Sequence, residues 1–203
     1  MANDNQKFGF RPYGVIKRAR MYAVQTAPTI NICLSDMVAA DTTGIVSPKL
    51  GIGILVQDGA IIPANPGDNY PILGSVLGCF DQNMDPLRYI PATTVGDSTV
   101  AGYVLIADDP WQQFVANVDA ALTAADIDLN YDISSGTLSA PGSTSLGISS
   151  QQITVTGAAT TNTLPIRLYS QAYPNVDVYS AAGCRMICGI SGECHYYGAG
   201  TAL

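Results

Sequence analysis

Apolar and polar residues alternate near the end of the chain. Residues 166–171, IRLYSQ, follow the two-residue period of a half-buried strand. A Pro-Asn turn follows at residues 174–175, and a second apolar run covers residues 184–190. A final hairpin of this kind usually closes a sheet, so we expect its last strand to lie beside strands formed much earlier in the chain.

Apolar runs separated by turn signals recur along the rest of the sequence. Asp58-Gly59 marks a hairpin, residues 123–126 form the one expected helical turn, and long loops are expected at 63–71 and 134–150. The runs predict strands at residues 50–56, 72–80, 100–107, 111–118 and 153–156, with further strand material within 21–38.

Charged residues are scarce, and this bears on the fold class. They make up 12% of the 203 residues, where roughly 25% is usual. Glu193 is the single glutamate among sixteen acidic residues. Helix surfaces normally carry Glu, Lys, Arg and Gln, whereas this chain uses Thr, Ser, Asn, Asp, Gly and Pro, which favour strands and turns. The composition therefore predicts an all-β protein.

The length fits one β domain. We assign residues 1–20 to an extended N-terminal arm and residues 21–203 to a single β-barrel or sandwich domain with long loops. Turn signals do not encode strand order, so the sequence leaves barrel and sandwich open.

The charge is divided unevenly between arm and body. The first twenty residues hold five basic residues and one Asp, a net charge of +4. Since the whole chain has a net charge of −7, the remainder carries −11. We expect the arm to lie against an acidic surface, its own or a neighbour's. Nucleic acid is disfavoured as a partner, because the acidic body would repel phosphates and no aromatic-basic platform recurs later.

The aromatic residues of the arm need a pocket. Phe8 and Phe10 lie two residues apart and share one side of an extended segment. Pro12 holds Arg11 extended, and Tyr13 adds a third ring. Two interpretations stand side by side: the rings enter a pocket on a partner, or they cap the chain's own core.

The only cluster of potential metal ligands lies near the end of the chain. Cys184, Cys188, Cys194 and His195 have the spacing C-x3-C-x5-C-H, which does not match the close ligand pairs of zinc sites. We interpret the cysteines as buried free thiols and His195 as a hydrogen-bonded residue at a strand end. Neighbours on a strand point to opposite faces, which disfavours a Cys-His nucleophile.

The acidic residues form neither a calcium-binding motif nor a catalytic pair. Residues 126–132 resemble the start of an EF-hand loop, but Tyr131 and Thr137 stand where that loop needs glycine and glutamate. Asp108 and Asp109 precede a proline and are interpreted as the start of a turn rather than as a catalytic pair. We predict no catalytic residue, no metal site, no cofactor and no enzymatic activity.

The start of the chain, MANDNQK, lacks the features of a signal peptide. The apolar runs are far shorter than the roughly 20 residues of a membrane helix, and the five cysteines are not spaced as a secreted disulfide framework. We expect synthesis in a reducing cytoplasm and no membrane partner.

Three stretches resemble the head decoration, or cement, proteins of tailed bacteriophages. They are FGFRPYG at the start, YVLIADDPWQQFVANVD with AADIDLNYDI in the middle, and the ending from LPIRLYSQAYPN to GECHYYGAGTA. In that family an F-G-x-R-P-like start, a D-D-P after a strand and an N-x-H-Q-aromatic element occur in this order. Residues 192–196, GECHY, depart from the last element.

The resemblance implies a structural virion protein, commonly a homotrimer, that binds the phage major capsid protein at three-fold positions and ties hexamers together. It would be assembled in the host cytoplasm and lie on the capsid surface. Because aromatics and arginine dominate binding hot spots, we place the candidate partner contacts at Phe8, Phe10, Arg11, Tyr13 and Trp111.

A β-sandwich binding module, such as a glycan-binding or tail-fibre component, is the alternative, with Trp111 and tyrosines suited to stacking on sugar rings. For the cement protein, removal of residues 1–14 is expected to leave the β domain folded and to weaken capsid attachment.

Overall fold

The computed structural model describes residues 7–25, 31–39, 55–56, 72–91, 100–133, 145–160, 164–192 and 194–195. One 3₁₀ helix, Ala124–Asp126, lies among these residues. The strands described are β1 (Arg11–Tyr13), β2 (Ala19–Gln25), β3 (Ile32–Cys33), β4 (Met37–Ala39), β5 (Leu55–Val56), β6 (Ile72–Phe80), β7 (Pro86–Leu87), β8 (Tyr89–Ile90), β9 (Val100–Ala107), β10 (Gln113–Asn117), β11 (Asn130–Ile133), β12 (Ile153–Ala159), β13 (Ile166–Gln171) and β14 (Arg185–Ile190).

The strands form two large sheets and one small one. Sheet 1 has the order β1-β10-β14-β13-β11-β12, and sheet 2 has the order β4-β6-β9-β2-β5 with β7 beside β6. Sheet 3 pairs β3 with β8. All pairs are antiparallel except β2 with β5. The sheets pack together as a β-sandwich, and no closed barrel occurs among the described residues, which confirms the all-β prediction.

The final hairpin has the predicted position in sheet 1. Strand β14 lies between β13, its hairpin partner, and the earlier strand β10. Cys188 of β14 stands opposite Phe114 on one side and Leu168 on the other, and all three side chains are fully buried. This row of cross-strand neighbours lies in the core of sheet 1.

Two hydrophobic cores share the strands β4 and β6. Met37 and Ile72 belong to the core of sheet 1, whereas the next residues, Val38 and Leu73, belong to the core between sheets 2 and 3. Successive side chains of a strand point to opposite faces. The edge of sheet 2 therefore contributes to both cores and joins the two halves of the molecule.

Residues 7–20 run along this domain. Strand β1 is the edge strand of sheet 1, with Arg11 opposite Val115 and Tyr13 opposite Gln113. Phe10, predicted as a partner contact, is fully buried in the chain's own core. A side chain enclosed by its own chain is not exposed for contact with another protein, so the position of Phe10 favours the second interpretation, in which the ring caps the chain's own core.

The backbone around Phe10 explains its position. Gly9 has φ +72°, and a Cβ there would lie 2.3 Å from the Ser35 carbonyl oxygen, so only glycine fits this close approach. The Phe10 N–H donates to the same oxygen at 2.8 Å, and the Ser75 hydroxyl donates to the Phe10 carbonyl. Removing residues 1–14 would take Phe10 out of the core, so we expect the truncated domain to be less stable than the full chain.

Several local predictions are confirmed. The strands at 72–80 and 100–107 have the predicted bounds, and the 3₁₀ helix Ala124–Asp126 lies within the helical turn predicted at 123–126, with Thr123 as its N-cap. Residues 145–150, expected within a long loop, form a turn that contains the buried Ser149. The hairpin at Asp58-Gly59, the loops 63–71 and 134–144, and residues 50–54 lie outside the described residues.

Replacing Phe10 by alanine tests whether it holds the arm to the body. We expect Phe10→Ala to lower the free energy of unfolding by about 3–5 kcal/mol, because it leaves a cavity in a packed core. Phe8→Ala is the matched control on the same segment; Phe8 is only half-buried, so we expect a loss of about 1 kcal/mol. Urea unfolding followed by circular dichroism measures both, and equal losses would contradict the assignment.

Candidate partner-binding groove

A surface groove of about 520 Å³ lies beside strand β1. Its lining comes from parts of the chain that are far apart in sequence. The arm supplies Lys7, Phe8 and Arg11–Gly14, strand β10 supplies Val115, the turn after residue 145 supplies Leu146 and Ile148–Ser150, and the final hairpin supplies Tyr173 and Arg185.

Three of the five predicted contacts meet in this groove. Phe8, Arg11 and Tyr13 all line it. The Arg11 Cζ lies 4.7 Å from the centre of the Phe8 ring, a cation–π distance. Tyr13 leaves 45% of its surface exposed. The arm therefore presents two rings and a guanidinium on one surface.

The final hairpin adds an ordered ring and cation to the groove. The Arg185 guanidinium donates to both Asp177 carboxylate oxygens at 2.8 Å. It also lies 4.3 Å from the centre of the Tyr173 ring. The hydrogen bonds from Arg185 lower the pKa of the buried Asp177 carboxyl. Asp177 thus compensates the Arg185 charge, and the pair fixes Tyr173 at the groove.

The turn on the groove's other flank is attached to sheet 3. The Leu34 N–H, next to β3, donates to the Gly147 carbonyl at 2.9 Å, and the Leu34 carbonyl accepts from the Ser149 N–H at 2.9 Å. These two bonds form a parallel bridge between Leu34 and Ile148. Gly147 has φ +68°, and a Cβ there would lie 2.3 Å from Arg88 Cγ. The turn is therefore held by contacts to Leu34 and to Arg88.

The charge of the groove is positive. Lys7, Arg11 and Arg185 line it, and none of the described residues that line it is an aspartate or glutamate. Since Asp177 compensates Arg185, the surplus charge comes from Lys7 and Arg11. Sequence reasoning missed Tyr173, Arg185 and Leu146, because no local pattern shows that the final hairpin and the turn reach the arm.

Trp111 stands apart from the groove. It is 87% exposed and is not a lining residue. Its backbone N–H donates to the Asp109 carboxylate at 2.8 Å, which confirms the predicted turn, and the Gln112 side chain donates to the Tyr13 carbonyl at 3.0 Å. The turn is thus bound to the end of β1, while the indole ring faces solvent.

Asp108 has a different role from its neighbour. Its side chain is fully buried and accepts from Arg18 Nε at 2.9 Å, from Arg20 Nε at 2.7 Å and from the Tyr22 hydroxyl. Burial raises the pKa of Asp108, but the hydrogen bonds from Tyr22, Arg20 and Arg18 outweigh it and the pKa lies below its ordinary value. An ionised carboxylate engaged in this way fastens the start of β2 to the end of β9.

This contact also bears on the charge asymmetry of the sequence. Arg18 and Arg20 account for two of the five basic residues in the first twenty, and their acidic partner belongs to the body of the same chain. The expectation that the arm lies against an acidic surface is therefore met, for these two residues, within the protein itself.

The cysteines and the histidine are enclosed. All five cysteines are free and buried, as predicted for the three near the chain end. Among the described residues, no group of three or more His, Cys, Asp or Glu side chains is placed to hold a metal ion. His195 is fully buried at an isolated bridge to Ile72 and is hydrogen-bonded to the Leu73 backbone. Burial lowers the pKa of His195 to about 4.

Comparisons with protein-family models, curated proteins and solved structures find no match for the chain. None of the helices in the described part is long and apolar enough to cross a membrane.

Replacing Asp108 tests whether its carboxylate stabilises the fold by binding Arg18 and Arg20 or only begins a turn. We expect Asp108→Asn to lower the free energy of unfolding by about 2 kcal/mol, less than a wholly buried ion pair would lose, because Arg18 and Arg20 remain partly exposed to solvent. Asp109→Asn, the matched control, should cost less than about 1 kcal/mol. Thermal and urea unfolding measure the difference, and a harmless Asp108→Asn would refute the role.

His195, the sole histidine, predicts a pH dependence of stability. Its pKa is about 4 in the folded chain against 6.5 ordinarily, so the unfolded chain takes up the proton first. The free energy of unfolding therefore falls as the pH falls from about 7 toward 4, because the unfolded chain gains a proton that the folded chain does not. The loss is about 2–3 kcal/mol between about pH 7 and 4.5. Urea midpoints of His195→Gln should lack the slope between about pH 6.5 and 5; an unchanged slope would contradict the assignment.

Proposed function

We propose that the protein is a structural virion protein that decorates a tailed-phage capsid and cements neighbouring capsomers, with the groove as its docking surface. The observation that carries the proposal is the meeting of Phe8, Arg11 and Tyr13 in one surface groove. The sequence predicts all three as partner contacts. The partner in this proposal is the phage major capsid protein, and the protein acts as a homotrimer.

Exposed apolar side chains around the groove support a protein partner. Leu146, Tyr13 and Tyr173 line it and remain 64%, 45% and 46% exposed. Val176, in the same hairpin connection as Tyr173, is 56% exposed. Single exposed apolar residues are ordinary, but a set rimmed by charged groups is typical of an interaction surface.

The chemistry of the buried polar groups supports a structural role as well. Asp108 holds Arg18 and Arg20, and Asp177 holds Arg185, and the thiols of Cys184 and Cys188 have their pKa raised by burial. Thiols with raised pKa are poor nucleophiles. These groups are engaged in holding strands and packing cores.

One observation favours a second candidate, a glycan-binding module. Trp111 is 87% exposed on a firmly bonded turn, and exposed indole rings are suited to stacking on apolar ligand faces. In that case the functional surface would be the Trp111 turn, and the groove would have no part in it.

Attachment of the variants to heads distinguishes the two surfaces. Purified protein is added to heads from a phage in which the gene for this chain is disrupted, and occupancy is measured by titration. We expect Arg11→Ala with Tyr13→Ala to weaken attachment roughly tenfold or more, as for loss of hot-spot residues. Trp111→Ala, which removes the most exposed ring, should attach within about twofold of the unaltered chain.

Absence of the protein from heads would overturn the capsid proposal. A glycan-array signal that Trp111→Ala abolishes would instead establish the second candidate. The stability of each variant is checked by its melting temperature, since all three residues have exposed side chains and their replacement should leave the fold intact.

A further inference from the structure

We infer that the groove recognises an acidic peptide segment of its partner, with carboxylates placed at Lys7 and Arg11 and apolar side chains packed on the neighbouring rings. The inference rests on the proposed function in one respect: the segment is taken to belong to the shell protein. The chemistry of recognition follows from the groove itself.

Charge is the first step of the argument. Among the three cations of the lining, Arg185 is already bound to Asp177 through two hydrogen bonds. Lys7 and Arg11 line the same groove, and within the described part of the chain no acidic side chain lines it with them. The body of the chain carries a net charge of −11 outside the first twenty residues, so the positive groove has the opposite sign to the body as a whole. A complementary partner therefore brings carboxylates to this place.

The rings supply the second step. Arg11 stacks on Phe8 at 4.7 Å and Arg185 on Tyr173 at 4.3 Å, so each cation lies next to an apolar surface. Tyr13 and Leu146 extend that surface and are 45% and 64% exposed. A ligand that alternates acidic and apolar side chains satisfies both features, whereas a small inorganic anion would leave the rings uncovered.

Strand β1 determines whether the peptide binds through backbone pairing or through side-chain contacts. It is the edge strand of sheet 1, and edge strands invite a further strand through backbone hydrogen bonds. Its central residue is Pro12, which has no N–H to donate. Pairing along this edge is therefore poor, and recognition falls to the side chains of Lys7, Arg11 and the rings.

A synthetic peptide tests the inference without capsids. The probe is a fluorescein-labelled peptide of alternating aspartate and leucine, compared by anisotropy with the isosteric peptide of alternating asparagine and leucine. We expect the aspartate peptide to bind about fivefold to tenfold more tightly, and added salt to reduce this preference. Arg11→Gln should remove most of the preference, and Arg11→Lys should restore part of it.

Lys17→Gln is the matched control, because Lys17 is an exposed cation of the same arm that does not line the groove. It should leave the preference unchanged. Equal binding of both peptides, or equal effects of Arg11→Gln and Lys17→Gln, would overturn the inference. So would displacement of the peptide by inorganic phosphate at similar concentration, which indicates a site for small anions. Preference for the acidic peptide by a protein absent from heads would refute the capsid function alone.

Discussion

The insertion of Phe10 into the chain's own core is the contact on which the candidate surface depends. Gly9 allows the backbone to approach Ser35, and hydrogen bonds to Ser35 and from Ser75 hold Phe10 on both sides. Phe8 and Arg11, on either side of this anchor, are thereby placed at the groove. Phe10 therefore complements the pairing of β1 with β10 in placing the arm residues beside the hairpin residues.

A second attachment holds the next part of the chain. After the exposed residues 14–17, Arg18 and Arg20 bind Asp108 at the end of β9. The segment from β1 to β2 is therefore fixed at both ends, by an apolar contact in one core and by a buried carboxylate beside the other sheet. The two attachments use different physics, so a change of pH or salt that weakens the ionic contact leaves the Phe10 contact in place.

The fold class and many strands could be predicted from the sequence because their signals are local. The alternation in 166–171 and the apolar runs at 72–80 and 100–107 specify strands without knowledge of their partners. The direction of Phe10 could not be predicted, because Phe8 and Phe10 have the same local pattern and only the packing of distant Ser35 and Ser75 separates them. The contribution of Tyr173 to the groove likewise depends on strand order, which no turn signal encodes.

The ordering of the arm has an energetic consequence for any ligand of the groove. A free arm would lose backbone and side-chain entropy on binding, about 1–2 kcal/mol per residue for the backbone alone, and this cost would be subtracted from the affinity. Here β1 is already paired with β10, and Arg11 already stacks on Phe8. The entropy of ordering the arm is therefore already lost when the chain folds, and not when a partner binds. Contacts made by Lys7, Arg11 and Tyr13 can then contribute to affinity with little loss to ordering. This is how a groove whose described lining holds two cations without an acidic neighbour can discriminate between ligands.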